Sequence, residues 1–163
     1  MKETMKETYT KQEVIDILSA AIEDRAKWFY LVLKYAKEEG ADVKKIAEKA
    51  IWDFGVDKGN KFGPNCKTAD ELLNKIHSGP AIGAFSMEII EEGEDKSVME
   101  FSSCPLVDQW KKLGCSEEEI GTLCDYASCG DFGLASVSPD LNLEFDELLS
   151  KGGKCCRMII TKK

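Results

Sequence analysis

Apolar residues recur along the N-terminal third of the chain at spacings of three and four. Thr10-Lys11-Gln12-Glu13 reads as a capping box, in which hydroxyl and carboxylate each satisfy an orphan backbone amide. After it come Val14, Ile17, Leu18, Ala21, Arg25, Trp28, Phe29, Val32 and Leu33, the pattern of an amphipathic helix that runs to about Glu39 and stops at Gly40. Asp42 caps a second expected helix carrying Val43, Ile46, Ala47, Ala50 and Ile51 and ending near Asp57 or Gly59, with Gly59 to Asn65 as loop. Thr68-Ala69-Asp70-Glu71 is another capping box, opening a short helix through His77 that Gly79-Pro80 terminates.

The period then changes to two. Phe85, Met87 and Ile89 alternate with Ser86, Glu88 and Ile90, which predicts a strand with one buried face; Val98 to Ser103 is the returning strand. Cys104-Pro105 ends it and starts a helix to Gly114, since proline is well tolerated in a first helical turn. Ser116-Glu117-Glu118-Glu119 caps a further helix with Ile120, Leu123 and Cys124 on one side, broken by Gly130-Asp131-Phe132-Gly133. Leu141, Leu143 and Phe145 then alternate with polar residues, and Cys155 to Thr161 forms the last strand. The expected fold is α+β: an antiparallel sheet of about four strands with helices on one face, preceded by an N-terminal helical segment. It forms a single domain over residues 1–163, with a helical segment over 1–63 and an α+β core over 64–163.

Charge narrows the functional classes. The net charge is −8, with 22 Lys and Arg against 30 Asp and Glu. Only Arg25 and Arg157 are arginines, so the clustered cations that phosphate backbones require are missing and nucleic acid is not an expected partner. No run approaches a membrane span, and the polar MKETMKETYT start, a solvated lead-in, lacks the apolar core of a signal peptide. Seven cysteines without a secretory signal read as thiols of a cytoplasmic protein. The long apolar stripe of the first helix suits either a homo-oligomer or the core of a monomer.

The cysteine spacings match no CxxC zinc knuckle. His77, the single histidine, is favoured as a helix C-terminal residue over a Cys–His pair. Cys104, where a strand passes into a helix N-terminus, is either a stabilised thiolate or a small buried corner residue. Cys124 falls on an apolar helix face. Cys156 shares a strand face with Met158 and Ile160, and Cys155 shares the other with Arg157. Asp131, in an expected turn, either caps a helix or holds a cationic ligand. Arg157 either clamps a substrate carboxylate or lies exposed on the sheet. Trp52 and Trp110 are expected in the core.

The stretch from Phe101 through Cys104-Pro105 and Trp110 to Gly114, its continuation Ser116 to Asp125, then Gly130-Asp131-Phe132-Gly133, resembles the L-2-amino-thiazoline-4-carboxylic acid hydrolase family. So does the ending from Leu149 through Gly152, Cys155 and Cys156 to Thr161, which places Cys156 at the family cysteine. The resemblance covers about residues 80 to 163. It implies a small-molecule substrate and hydrolytic opening of a cyclic isothiourea to N-carbamoyl-L-cysteine. Cys104, Asp131 and Cys124 are then the catalytic candidates, Cys104 as nucleophile and Asp131 paired with the amidine-like cation. Trp110, Arg157 and Cys156 are the substrate-binding candidates, with Arg157 or Arg25 on the substrate carboxylate. No cofactor is required on this reading; the alternative is a divalent metal held by Cys124 and Cys156 to activate water. The ending also resembles ligand-binding domains of the vinyl-reductase type, which implies sensing of a small molecule or metal instead of catalysis.

Overall fold

A computed structural model describes residues 8–163; most of the polar lead-in, residues 1–7, lies outside the described residues. Six α-helices and four strands follow in the order α1 (Lys11–Glu38), α2 (Val43–Phe62), α3 (Ala69–Ile76), α4 (Ala81–Ala84), β1 (Met87–Glu91), β2 (Lys96–Phe101), α5 (Pro105–Lys112), α6 (Glu117–Ser136), β3 (Leu141–Glu147) and β4 (Cys156–Lys162). The strands form one antiparallel sheet in the order β1-β2-β4-β3. The α+β class, the four-stranded sheet and the preceding helices are as the residue pattern predicts.

The start of α1 is set by its capping box: Glu13 N–H donates to Thr10 Oγ1 at 3.2 Å and Thr10 N–H donates to Glu13 Oε2 at 2.9 Å. Gly40, at φ +80°, closes the helix because only glycine adopts that backbone without strain. The apolar pattern of α1 divides between two faces. Ile22, Ala26 and Leu33 are buried, whereas Val14, Ile17, Trp28 and Val32, expected on the same stripe, stand exposed. Trp52, expected in the core, is exposed as well.

Two cores organise the molecule. In the first, Met99 and Met158, partners across β2 and β4, lie with Ile160, Leu141 and Leu143 beneath Leu72 and Leu73 of α3 and Leu134 of α6. In the second, Ala26 and Leu33 of α1 meet Val107 and Trp110 of α5 and Ile120 and Leu123 of α6. Helix α6 enters both clusters, so it joins the helical third to the sheet.

That helix also corrects the sequence reading. Gly130-Asp131-Phe132-Gly133 does not break it; α6 continues to Ser136, and α2 likewise runs through Gly59 to Phe62. The glycines serve a close crossing. A Cβ on Gly55 would collide with the Gly130 carbonyl, one on Gly133 with the Trp52 carbonyl, and one on Gly59 would sit 2.7 Å from Leu134 O. Backbones pack this closely only where side chains are missing, and that contact outweighs the helix propensity lost at each glycine. Smaller shifts occur in the strands: Phe85 caps the short α4 instead of starting β1, and β2 begins and ends two residues earlier than expected.

Candidate functional site

The second core borders a group of thiols contributed by α5, α6 and β4. Cys104 is the N-cap of α5, in extended conformation, with Pro105 following it. The backbone amides of Val107 and Leu106 favour its thiolate, as a helix start should. Burial opposes them and wins, holding the Cys104 thiol up at about 12, which favours the buried corner residue over the stabilised thiolate of the two sequence readings. Cys124 and Cys156 lie close enough to raise it further.

Cys156 opens β4 on the face of Met158 and Ile160, and its sulfur accepts the Leu149 N–H at 3.4 Å. Burial lifts this thiol to about 11, with Cys124, Cys155 and Asp131 adding to the effect. Burial also raises Cys124, against the Ser150 and Ser128 hydroxyls, which favour its thiolate. Asp131 lies two turns along α6 from Cys124, on the same side of the helix. Its carboxyl is desolvated and raised from 3.8 to about 6, the Lys58 and Arg25 cations offsetting part of the cost. Lys58 is lowered in turn, by burial first and then by Arg25.

Four of the sequence candidates therefore converge: Cys104, Cys124, Cys156 and Asp131. Two others do not join them. Trp110 is 1% exposed within the second core, its indole N–H donating to Ala26 O at 3.1 Å, so it has no face for a substrate. Arg157 points to the sheet face opposite Cys156, where its guanidinium meets Glu100 at 2.7 Å, Glu147 at 3.4 Å and Asp146 at 3.6 Å. Three carboxylates occupy the fork that a substrate carboxylate would need. His77 caps the C-terminus of α3. Arg25, by contrast, reaches the Asp131 environment from α1.

Lys58 and Ser150 are site residues that the sequence does not single out. Lys58 falls between Gly55 and Gly59, at what reads as the frayed end of a helix, and Ser150 in what reads as a loop. Only the α2–α6 crossing and the 3-10 turn Leu149–Lys151 bring them to the thiols. Among the described residues no three His, Cys, Asp or Glu side chains are grouped to hold a metal ion. All seven cysteines are free thiols. Chemically, the group is a set of neutral thiols beside a carboxyl whose pKa lies near neutrality, where it can both take and return a proton.

The family model for L-2-amino-thiazoline-4-carboxylic acid hydrolase matches residues 1–160. No curated protein matches the chain. Among solved structures, the chain is similar to a trafficking protein particle complex subunit 3 from Naegleria fowleri covalently bound to palmitic acid. That likeness has 12% identity and a TM-score of 0.57, and covers 91% of this chain and 96% of that one. It is also similar to the phenol-responsive sensory domain of the transcription activator PoxR, solved with phenol, at 11% identity and a TM-score of 0.49 over 84% of this chain and 73% of that one. At such identities the first likeness speaks for the fold alone. The family model reaches through the N-terminal helices as well as the thiol-bearing half, and on that match the chain belongs to the L-2-amino-thiazoline-4-carboxylic acid hydrolase family.

Proposed function

We propose that the protein hydrolyses a small cyclic amidine or isothiourea, opening the ring at a carbon–nitrogen or carbon–sulfur bond. The observation that carries this reading is the Asp131 carboxyl beside the Cys124 and Cys156 thiols, with Cys104 adjoining them at a helix N-terminus. A protonated amidine is a planar cation, and Asp131 is the desolvated anion placed to pair with it. Lys58 and Arg25 are the cations at hand for a substrate carboxylate, the role Arg157 cannot fill.

For an isothiourea ring the steps balance as follows. The Cys104 sulfur attacks the carbon between ring sulfur and nitrogens, its proton passing to the Asp131 side. The tetrahedral centre collapses with cleavage of the ring carbon–sulfur bond, and the departing sulfur takes up a proton. Water then attacks the enzyme-bound carbon, releasing Cys104 as a thiol and a urea as product. Moving a proton from a thiol near 12 to a carboxyl near 6 costs about 8 kcal/mol. A substrate cation eases that transfer only so far as it lies nearer the sulfur than the carboxylate, so the thiol is neutral in the resting enzyme and gives up its proton as it attacks.

The test is formation of N-carbamoyl-L-cysteine from L-2-aminothiazoline-4-carboxylate by the wild type, Cys104→Ser and Asp131→Asn, each with its melting curve. Turnover lost in both variants with folding intact supports the assignment; full turnover by Cys104→Ser removes the nucleophile. The raised thiols also suit a second reading, a small-molecule-sensing domain that binds without reacting. Stoichiometric binding of the same heterocycle with no product identifies that case.

A further inference from the structure

The 3-10 turn Leu149–Lys151 packs against the first half of α6. The Ser150 carbonyl oxygen lies 3.9 Å from where a Gly121 Cβ would stand, one turn before Cys124 on the same side of the helix. Lys151 pairs with Asp125, the residue after Cys124, at 2.8 Å. Leu149 gives its N–H to the Cys156 sulfur at 3.4 Å. Ser150, between them, is 8% exposed, and its hydroxyl is within reach of Cys124, whose thiolate it favours. Yet that hydroxyl has no hydrogen-bond partner in the resting protein. Buried hydroxyls are almost always bonded, so an unengaged one at the edge of a reactive group marks a donor kept for an acceptor that arises in use.

A neutral thiol is a weak acceptor and a thiolate a strong one. The other hydroxyl beside Cys124, that of Ser128, is already given to the Cys124 carbonyl at 2.9 Å. Cys124 itself borders both Cys104 and Asp131. We infer that Cys124 relays the Cys104 proton to Asp131, and that Ser150 is its positioning residue, turning its hydroxyl onto the Cys124 sulfur during the transfer. This role rests on the ring-opening reading above and supplies the route for its first step. As the Cys104 sulfur attacks, Cys124 yields its proton to the Asp131 carboxylate and takes the one leaving Cys104. The Cys124 thiol is restored, and one proton has moved from Cys104 to Asp131.

Ser150→Ala in the full chain tests this by kinetics and by a readout that needs no turnover. Its kcat on L-2-aminothiazoline-4-carboxylate is expected to fall about tenfold or more, with KM within about twofold. Its melting temperature should not fall, because the change removes a buried hydroxyl that bonds nothing at rest. Alkylation by iodoacetamide at about pH 8, followed by peptide mass mapping, reads the thiols directly, since the thiolate is the reacting form. Loss of the donor is expected to slow Cys124 about tenfold and to leave Cys129, further along α6, unchanged. A kcat kept within about twofold, or Cys124 alkylated equally in the two proteins, overturns the inference and leaves the ring-opening reading standing. So does a Cys124 that the wild type does not expose to iodoacetamide at all, and a lower melting temperature makes the hydroxyl structural. A wild type without turnover, whose Cys124 still depends on Ser150, overturns the ring-opening reading and the relay while supporting the hydroxyl as the Cys124 donor.

Discussion

Asp131 pits stability against chemistry within one side chain. Its folded pKa of about 6 lies above the ordinary 3.8, so the protonated form is the one the fold favours. Its favourable contribution is full below 3.8 and lost as pH rises through about 6. Asp131→Asn is therefore expected to raise stability by about 3 kcal/mol above pH 7, with the gain fading toward pH 4. Urea melts at several pH values read this directly, and a gain that does not change with pH contradicts it. Ring-opening activity should disappear in the same variant, the trade expected where a strained group is kept for function. Arg157 is the contrasting residue, because its partners are the carboxylates of its own sheet face. Arg157→Met is expected to leave KM and kcat within about twofold; a KM raised tenfold or more would place its guanidinium on the substrate after all.

At the scale of elements, what was legible in the sequence was local. The Thr10-Glu13 and Ser116-Glu119 boxes set helix starts to the residue, because capping depends only on neighbours in the chain. The alternation at Leu141, Leu143 and Phe145 located β3 for the same reason. Gly130 and Gly133 misled: in sequence they read as breakers, and their use as a packing surface for α2 exists only in the fold. The site divides in the same way. Cys104 was legible from its position at an element end, Cys156 from the family resemblance, Asp131 as a residue but not as part of a helix, and Lys58 not at all. The crossing makes a test of its own. Gly55→Ala and Gly133→Ala push a methyl into backbone oxygens and are expected to cost about 3 kcal/mol each. Gly121→Ala, on the same helix as Gly133 but with its nearest neighbour 3.9 Å away, is expected to be neutral or to stabilise by up to about 1 kcal/mol. Equal destabilisation at all three positions would show that glycine content, not the crossing, matters.

Across the whole molecule, the helical third and the sheet are tied through a small region. Helix α1 rests chiefly on α5 and α4 and touches α2 little, while α2 is fastened to α6. Trp110 is the knot: its ring fills the cluster shared by α1, α5 and α6, and its N–H occupies the Ala26 carbonyl. Because α6 belongs also to the core above the sheet, a loss at Trp110 is transmitted to the sheet and not confined to α1. Trp110→Ala is accordingly expected to lower stability by about 3–5 kcal/mol while unfolding stays a single transition. Far-UV circular dichroism, dominated by the helices, and fluorescence of the remaining tryptophans should give coincident urea curves at fixed protein concentration. Helix signal lost in a separate first step would instead mean that residues 1–63 fold as a unit apart from the α+β core.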